Sequence, residues 1–169
     1  MFLAIRLSRK IKTLVKLMKL SKKHPTLFAF YKKIKNIPWK CSKPFLSFVR
    51  IKVEGVKLYL NPNDEVISRK CFFRHKWESL EVKKMKERIA EGSTCLDIGA
   101  NIGIYTCIMA KEVGRNGMVF AFEPSPENFT FLKRNSHTKE NVIIERMAIS
   151  DKTGETTLFI SNKHKGDHR

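Results

Sequence analysis

The apolar and polar positions of this chain follow three successive rhythms. From Phe2 to Leu20 the spacing is helical. Leu3, Leu7, Leu14, Leu17 and Met18 gather on one side, with Arg6, Lys10, Lys12, Lys16 and Lys19 interleaved. His24-Pro25 and Ile37-Pro38 punctuate this opening, and Lys43-Pro44 is expected to end it. From Phe48 the period becomes two. Phe48, Arg50 and Lys52 alternate with Val49, Ile51 and Val53, then Glu54-Gly55 separates that run from Val56, Leu58 and Leu60, which predicts a β-hairpin. Asn61-Pro62-Asn63-Asp64 reads as a loop, and Trp77, Leu80, Met85 and Ile89 predict a helix over Trp77–Ala90.

After Glu91-Gly92-Ser93 the third rhythm begins, in which short apolar runs alternate with helical spacing. Thr94–Ile98 predicts a strand and Gly99–Gly103 a turn. Ile104, Cys107, Ile108 and Val113 predict one apolar helix face that stops at Gly114, a natural residue to follow a helix. Met118–Phe122 is apolar throughout, as expected of a parallel strand covered on both faces. Ser125 is placed to cap a further helix, with Pro126 at its first position and Asn135 near its end. Val142–Glu145 predicts a third strand, Asp151–Gly154 a turn and Thr156–Ile160 a fourth short strand. Strands alternating with helices predict an α/β fold with a parallel sheet.

Charge divides the chain differently. Residues 1–50 hold 14 Lys or Arg and no Asp or Glu, whereas the remainder holds 20 basic and 16 acidic residues of the totals of 34 and 16. A basic arm (residues 1–45) therefore precedes a nearly balanced globular part (residues 46–169). Such an arm can lie on an anionic membrane surface, meet an acidic partner or nucleic acid, or remain solvated beside its own core. No nucleic-acid motif accompanies the charge. Cys41, Cys71, Cys95 and Cys107 show neither C-x-x-C nor zinc-finger spacing, so a metal site is not expected and a reduced, cytoplasmic setting is. The sequence has no uncharged run long enough for a membrane span. His137, His164 and His168 read as surface residues, and Trp77, Phe72, Phe73 and Phe129 as core.

The chemistry concentrates at two strand ends. Asp97 closes the first parallel strand ahead of Gly99-Ala100-Asn101-Ile102-Gly103, and Glu123 closes the second. An acid at that second position can accept both hydroxyls of a ribose, because open α/β sheets bind ligands beyond the carboxyl ends of their strands. A dinucleotide site needs G-x-G-x-x-G, and here the middle glycine is absent and an acid stands in front. A carboxylate repels a pyrophosphate and attracts an ammonium. The pattern therefore fits S-adenosylmethionine, with Glu123 toward its ribose and Asp97 toward its ammonium, and opposes NAD. Gly99 lets the backbone approach a ligand, and Gly103 lets the next helix pack closely. Asn101 either contacts the ligand or tolerates an unusual turn conformation.

Leu96–Gly103 (LDIGANIG), Phe120–Pro126 (FAFEPSP) and Asn141-Val142 leading to Ala148-Ile149-Ser150-Asp151 and Gly154 together resemble the FkbM family of methyltransferases. The resemblance spans Val53 to Arg169 and leaves the basic arm uncovered. It implies a Rossmann-like class I methyltransferase sheet with helices on both faces, preceded by the hairpin and the arm. It also implies S-adenosylmethionine as cofactor and O-methylation of a sugar or other small-molecule hydroxyl, with a small-molecule or glycan acceptor and no specific nucleic-acid partner. Asp97, Gly99, Ala100, Asn101 and Gly103 match the family's first cofactor motif, Glu123 its ribose acid, and Ala148 follows the third strand, where the adenine would lie. Members of the family continue into a later strand with a Lys-x-Asp-x-Glu-Gly signature that residues 1–169 do not contain. The expectation is therefore a sheet incomplete at the C-terminus, with the substrate side and any catalytic base among residues beyond this sequence. Rival expectations are a truncated methyltransferase without turnover, and a membrane-surface or nucleic-acid binder acting through the arm.

Overall fold

The computed structural model describes residues 37–155, 157 and 158. The expected helix over Phe2–Leu20 lies outside them. The described chain runs α1 (Ile37–Leu46), β1 (Arg50–Val53), β2 (Val56–Tyr59), α2 (Ile67–Arg74), α3 (Ser79–Arg88), β3 (Thr94–Ile98), α4 (Ile104–Glu112), β4 (Met118–Phe122), α5 (Pro126–Ser136) and β5 (Val142–Glu145). One compact unit begins at Lys43. Helix α1 continues through Pro44 to Leu46 instead of ending at Lys43-Pro44. A proline in the last turn removes one hydrogen bond, and only two residues follow it in the helix.

The hairpin has the register its alternation predicts, with Val53 opposite Val56 and Arg50 opposite Tyr59. Glu54 (φ 47°) and Gly55 (φ 92°) both take positive φ, as a two-residue type I′ connection requires. The Glu54 carboxylate accepts hydrogen bonds from Trp77 N (3.2 Å) and Ser79 Oγ (2.6 Å), which tie the hairpin tip to the start of α3. That helix is shorter than its apolar spacing predicts. Leu80 is exposed, and Val82 provides the buried contact.

Helix α2 was not foreseen. Asp64 starts it, accepting from the backbone N–H groups of Val66, Ile67 and Ser68 at 2.8–3.1 Å. Ser68 is buried and accepts from Asn61 N (3.1 Å), so a polar residue occupies the inward face beside Cys71 and Phe72. An apolar pattern therefore understates this helix.

Strands β3, β4 and β5 form a parallel sheet in that order, with Asp97 opposite Ala121 and Ala121 opposite Ile144. Helices α4 and α5 cover one face. Ala110, Val113 and Val119 form one buried cluster, and Ala100, Ala121 and Leu132 a second. Strand β2 packs on α4 and α5 from outside, giving layers of sheet, helices and hairpin. The other face of the sheet is open among the described residues. Leu96 and Ile98 are each 61% exposed and Ile143 40%, while Val119 and Ala121 on the covered face are fully buried. Strand β4 is thus covered on one face where its continuous apolar run predicted two. Of the expected fourth strand, Thr157 and Leu158 are irregular, and the other three residues lie outside the described ones.

Asn135 ties the layers together. Its Oδ1 accepts from Tyr59 N (2.7 Å), and its Nδ2 donates to Tyr59 O (3.0 Å) and to Ile102 O (2.7 Å). One buried amide on α5 thereby pairs with the hairpin and with the glycine turn. Asn135→Ala leaves three backbone groups without this partner. It is expected to cost about 3 kcal/mol of stability, read from the midpoint of urea denaturation.

Candidate functional site

All three parallel strands point their carboxyl ends the same way, so Asp97, Glu123 and the segment after Glu145 lie at one end of the sheet. The turn after β3 is built against β4. Gly99 N and Ala100 N both donate to Phe122 O at 2.9 Å. Asn101 N donates to Glu123 Oε2 (2.8 Å), and Ser125 N donates to Glu123 Oε1 (2.9 Å). Glu123 is 4% exposed, so one buried carboxylate joins the glycine turn to the start of α5. Ser125 makes no side-chain cap, and its backbone N–H donates to Glu123.

Asp97 is buried beneath the same turn, and its Oδ2 accepts from the hydroxyl of Thr106 on α4. Burial pushes the Asp97 carboxyl above its ordinary range. The Thr106 hydrogen bonds oppose that shift, and the nearby Glu123 charge adds to it. In the sequence Thr106 reads as one more helical position between Tyr105 and Cys107.

The glycine turn distinguishes its residues. Asn101 has φ 52°, and its Oδ1 accepts from Ile102 N (2.9 Å), so its side chain stabilises the left-handed turn. Gly103 has φ 85°, and a Cβ there would stand 2.8 Å from Leu132 Cδ1, which explains the close approach of α5. Gly99 has φ 79°, and a Cβ there would meet nothing within 4 Å. The contrast gives a paired expectation. Gly103→Ala should cost about 2 kcal/mol, because it adds a clash to left-handed strain. Gly99→Ala should cost about 1 kcal/mol, from the conformation alone. Denaturant midpoints of the two variants check the order.

Ala148 is exposed, three residues beyond β5, and among the described residues no hydrogen bond links it to the glycine turn. Of the residues expected at the site, the structure joins Asp97, Gly99, Ala100, Asn101, Gly103 and Glu123, and places Ala148 only at the same sheet end. A cavity of about 650 Å³ lies at the opposite end, lined by residues that include Gly114, Met118 and Asn141. Ligands of parallel α/β sheets bind at carboxyl strand ends, so that cavity is on the wrong side for the strand-end acids.

Tyr105, just inside α4, donates its hydroxyl to Glu78 Oε2 (2.7 Å). Burial and that bond push its phenol pKa up. Burial raises the Cys71 thiol to about 12 and the Cys107 thiol to about 11, so neither is a nucleophile at neutral pH. Among the described residues no group of three His, Cys, Asp or Glu is placed to hold a metal, and no helix is long and apolar enough to cross a membrane.

Residues 97–169 match the family model of the methyltransferase FkbM domain. The matched segment begins at Asp97 and contains the glycine turn and Glu123. Over 78 residues the chain is 32% identical to the hexuronic acid methyltransferase AglP of Haloferax volcanii, covering 46% of this chain and 31% of that protein. The chain thus spans about a third of the length of the curated relative it matches. Among solved structures it is similar to a SAM-dependent methyltransferase of Aquifex aeolicus (29% identity, 42% of this chain and 38% of that one, TM-score 0.35). It is also similar to coclaurine N-methyltransferase (17% identity, 89% and 47%, TM-score 0.40).

Proposed function

We propose that this chain binds S-adenosylmethionine at the carboxyl end of β3, β4 and β5 and serves methyl transfer to a hydroxyl of a sugar or another small molecule. The observation that carries the reading is Glu123. It is a buried carboxylate at the end of the second parallel strand, held by Asn101 N and Ser125 N. Each of its oxygens accepts one backbone hydrogen bond and keeps a further acceptor site, so the pair can take both hydroxyls of a ribose.

The surrounding residues fit the rest of the cofactor. Asp97 is a buried acid whose proton affinity is raised, and a cationic ammonium offsets the desolvation that raises it. Thr106 fixes the orientation of the Asp97 carboxylate. The open space beside Gly99 leaves the turn's backbone accessible. When bound, S-adenosylmethionine supplies a methyl group on a positively charged sulfur that a hydroxyl oxygen can attack. In this chain Glu123, Asp97 and the glycine turn bind and orient, and no residue is assigned as the base. The sugar class of the acceptor is supported by the relative that methylates a hexuronic acid, at 32% identity. Incubating the chain, alongside a full-length relative, with radiolabelled S-adenosylmethionine and uronic-acid or neutral-sugar acceptors tests the activity. Label should pass to a sugar hydroxyl, and transfer to none of the acceptors counts against the reading.

A further inference from the structure

The outer face of the hairpin carries charge that the cofactor site does not use. Its inward residues Val53, Val56 and Leu58 are buried, and the alternate positions are Arg50, Lys52, Lys57 and Tyr59. Lys52 stands directly opposite Lys57, and Arg50 opposite Tyr59. Like charges directly opposed weaken a strand pair, so this arrangement is unfavourable unless something anionic meets it. Arg134 of α5 adds a further cation. Its guanidinium carbon lies 3.8 Å from the centre of the Tyr59 ring, and that of Arg50 lies 5.1 Å from it.

Backbone geometry builds this group. Arg50 is the cross-strand partner of Tyr59. Arg134 immediately precedes Asn135, whose buried amide clamps Tyr59 N and Tyr59 O. No carboxylate stands within ion-pair distance of Arg50 or Arg134 among the described residues. The positions three and four residues either side, Thr130, Phe131, His137 and Thr138, offer no acid to Arg134 either. Hydrogen bonding from Arg50, together with the positive charges of both arginines, draws the Tyr59 phenol below its ordinary range.

We infer that Arg50, Tyr59 and Arg134 form a binding site for a phosphoryl oxyanion, with Lys52 and Lys57 extending it toward a second phosphate. Two guanidinium groups converge on one phenolic ring, and each can bond an oxyanion through two N–H groups. Their combined charge matches a phosphate carrying between one and two negative charges. The site rests on the hairpin and α5, and its residues are not those of the strand-end site, so it does not depend on the methyltransferase reading.

The test is a titration of inorganic pyrophosphate into the 169-residue chain carrying 13Cζ-labelled tyrosine, followed by NMR. The Tyr59 signal is assigned by its loss in Tyr59→Phe. A saturable shift of Tyr59 with Tyr31 and Tyr105 unmoved is expected. It should weaken tenfold or more in Arg134→Gln and in Arg50→Gln, and stay unchanged in Lys84→Gln, which removes an equal charge elsewhere. Unchanged far-ultraviolet circular dichroism shows that the variants remain folded. Phosphatidate vesicles that displace pyrophosphate from the Tyr59 signal identify a lipid headgroup as the natural source, and failure to displace it identifies a soluble phosphate; either outcome accompanies a confirmed site. A Tyr59 signal that does not move at millimolar pyrophosphate, or binding weakened equally by Lys84→Gln, overturns the inference.

Discussion

Glu123→Ala is expected to weaken S-adenosylhomocysteine binding by at least about 100-fold. Hydrogen bonds to a charged acceptor contribute about 1.5–3 kcal/mol each, and two ribose hydroxyls lose their acceptor together. The same carboxylate also holds Asn101 N and Ser125 N, at 2.8 and 2.9 Å, so part of the loss could come from a loosened turn. A ligand-side comparison separates the two effects. The 2′-deoxy analogue should bind the unaltered chain more weakly than the parent nucleoside, whereas Glu123→Ala should not distinguish them. A variant that still discriminates between the two ligands would place the ribose elsewhere, whatever its stability.

Asp97→Asn is expected to raise the stability of the ligand-free chain at neutral pH and to lower its affinity for the cofactor by about 100-fold or more. The folded state raises the Asp97 pKa above its unfolded value, so the folded chain binds this proton more tightly. Its ionised form therefore destabilises the fold as pH rises above the unfolded value and through the folded one; the penalty vanishes below both. Asparagine retains an oxygen for Thr106 and removes the buried charge. A gain of roughly 1 kcal/mol, or a few degrees in melting temperature, should appear at pH 7 and disappear in acid. Cofactor affinity should show the matching trend. It should fall as acid protonates Asp97 in the unaltered chain, and the asparagine variant should lack this component. A variant that is less stable at pH 7, or one that binds as tightly as the unaltered chain, would contradict the assigned role. Gain of stability with loss of binding is the signature of a residue kept charged for a ligand.

Local order explains which parts of this fold were legible in the sequence. The bounds of β3, β4 and β5 follow from contiguous apolar runs ending in turn residues, and the hairpin follows from strict alternation around Glu54-Gly55. The acids at the strand ends were visible for the same reason. Helix α2 was hidden because its inward face includes Ser68, whose hydroxyl accepts from a backbone N–H seven residues earlier. Thr106 was hidden because its hydroxyl bonds across the glycine turn to the preceding strand, nine residues back, and Asn135 because its partners are distant in sequence. Asn135 reaches 33 residues to Ile102 and 76 to Tyr59. Ser125 was expected to cap α5 with its side chain, as its residue type favours. Its hydroxyl makes no cap hydrogen bond, and its backbone N–H donates to the Glu123 carboxylate two residues earlier.

Strand β4 shows the limit of composition most clearly. Its five residues are all apolar, yet Val119 and Ala121 are fully buried while Met118, Phe120 and Phe122 are half-buried. Apolar character records what a strand can bury, and the elements around it decide what it does bury.

A cofactor site at the carboxyl end of β3 and β4 must bind S-adenosylhomocysteine, and calorimetric titration of that ligand into the 169-residue chain measures it. Circular dichroism and sedimentation establish beforehand that the chain is folded. Saturable one-to-one binding that is lost in Glu123→Ala is the predicted result. A folded chain that binds no S-adenosylhomocysteine, or that binds it equally well without the Glu123 carboxylate, would contradict the account.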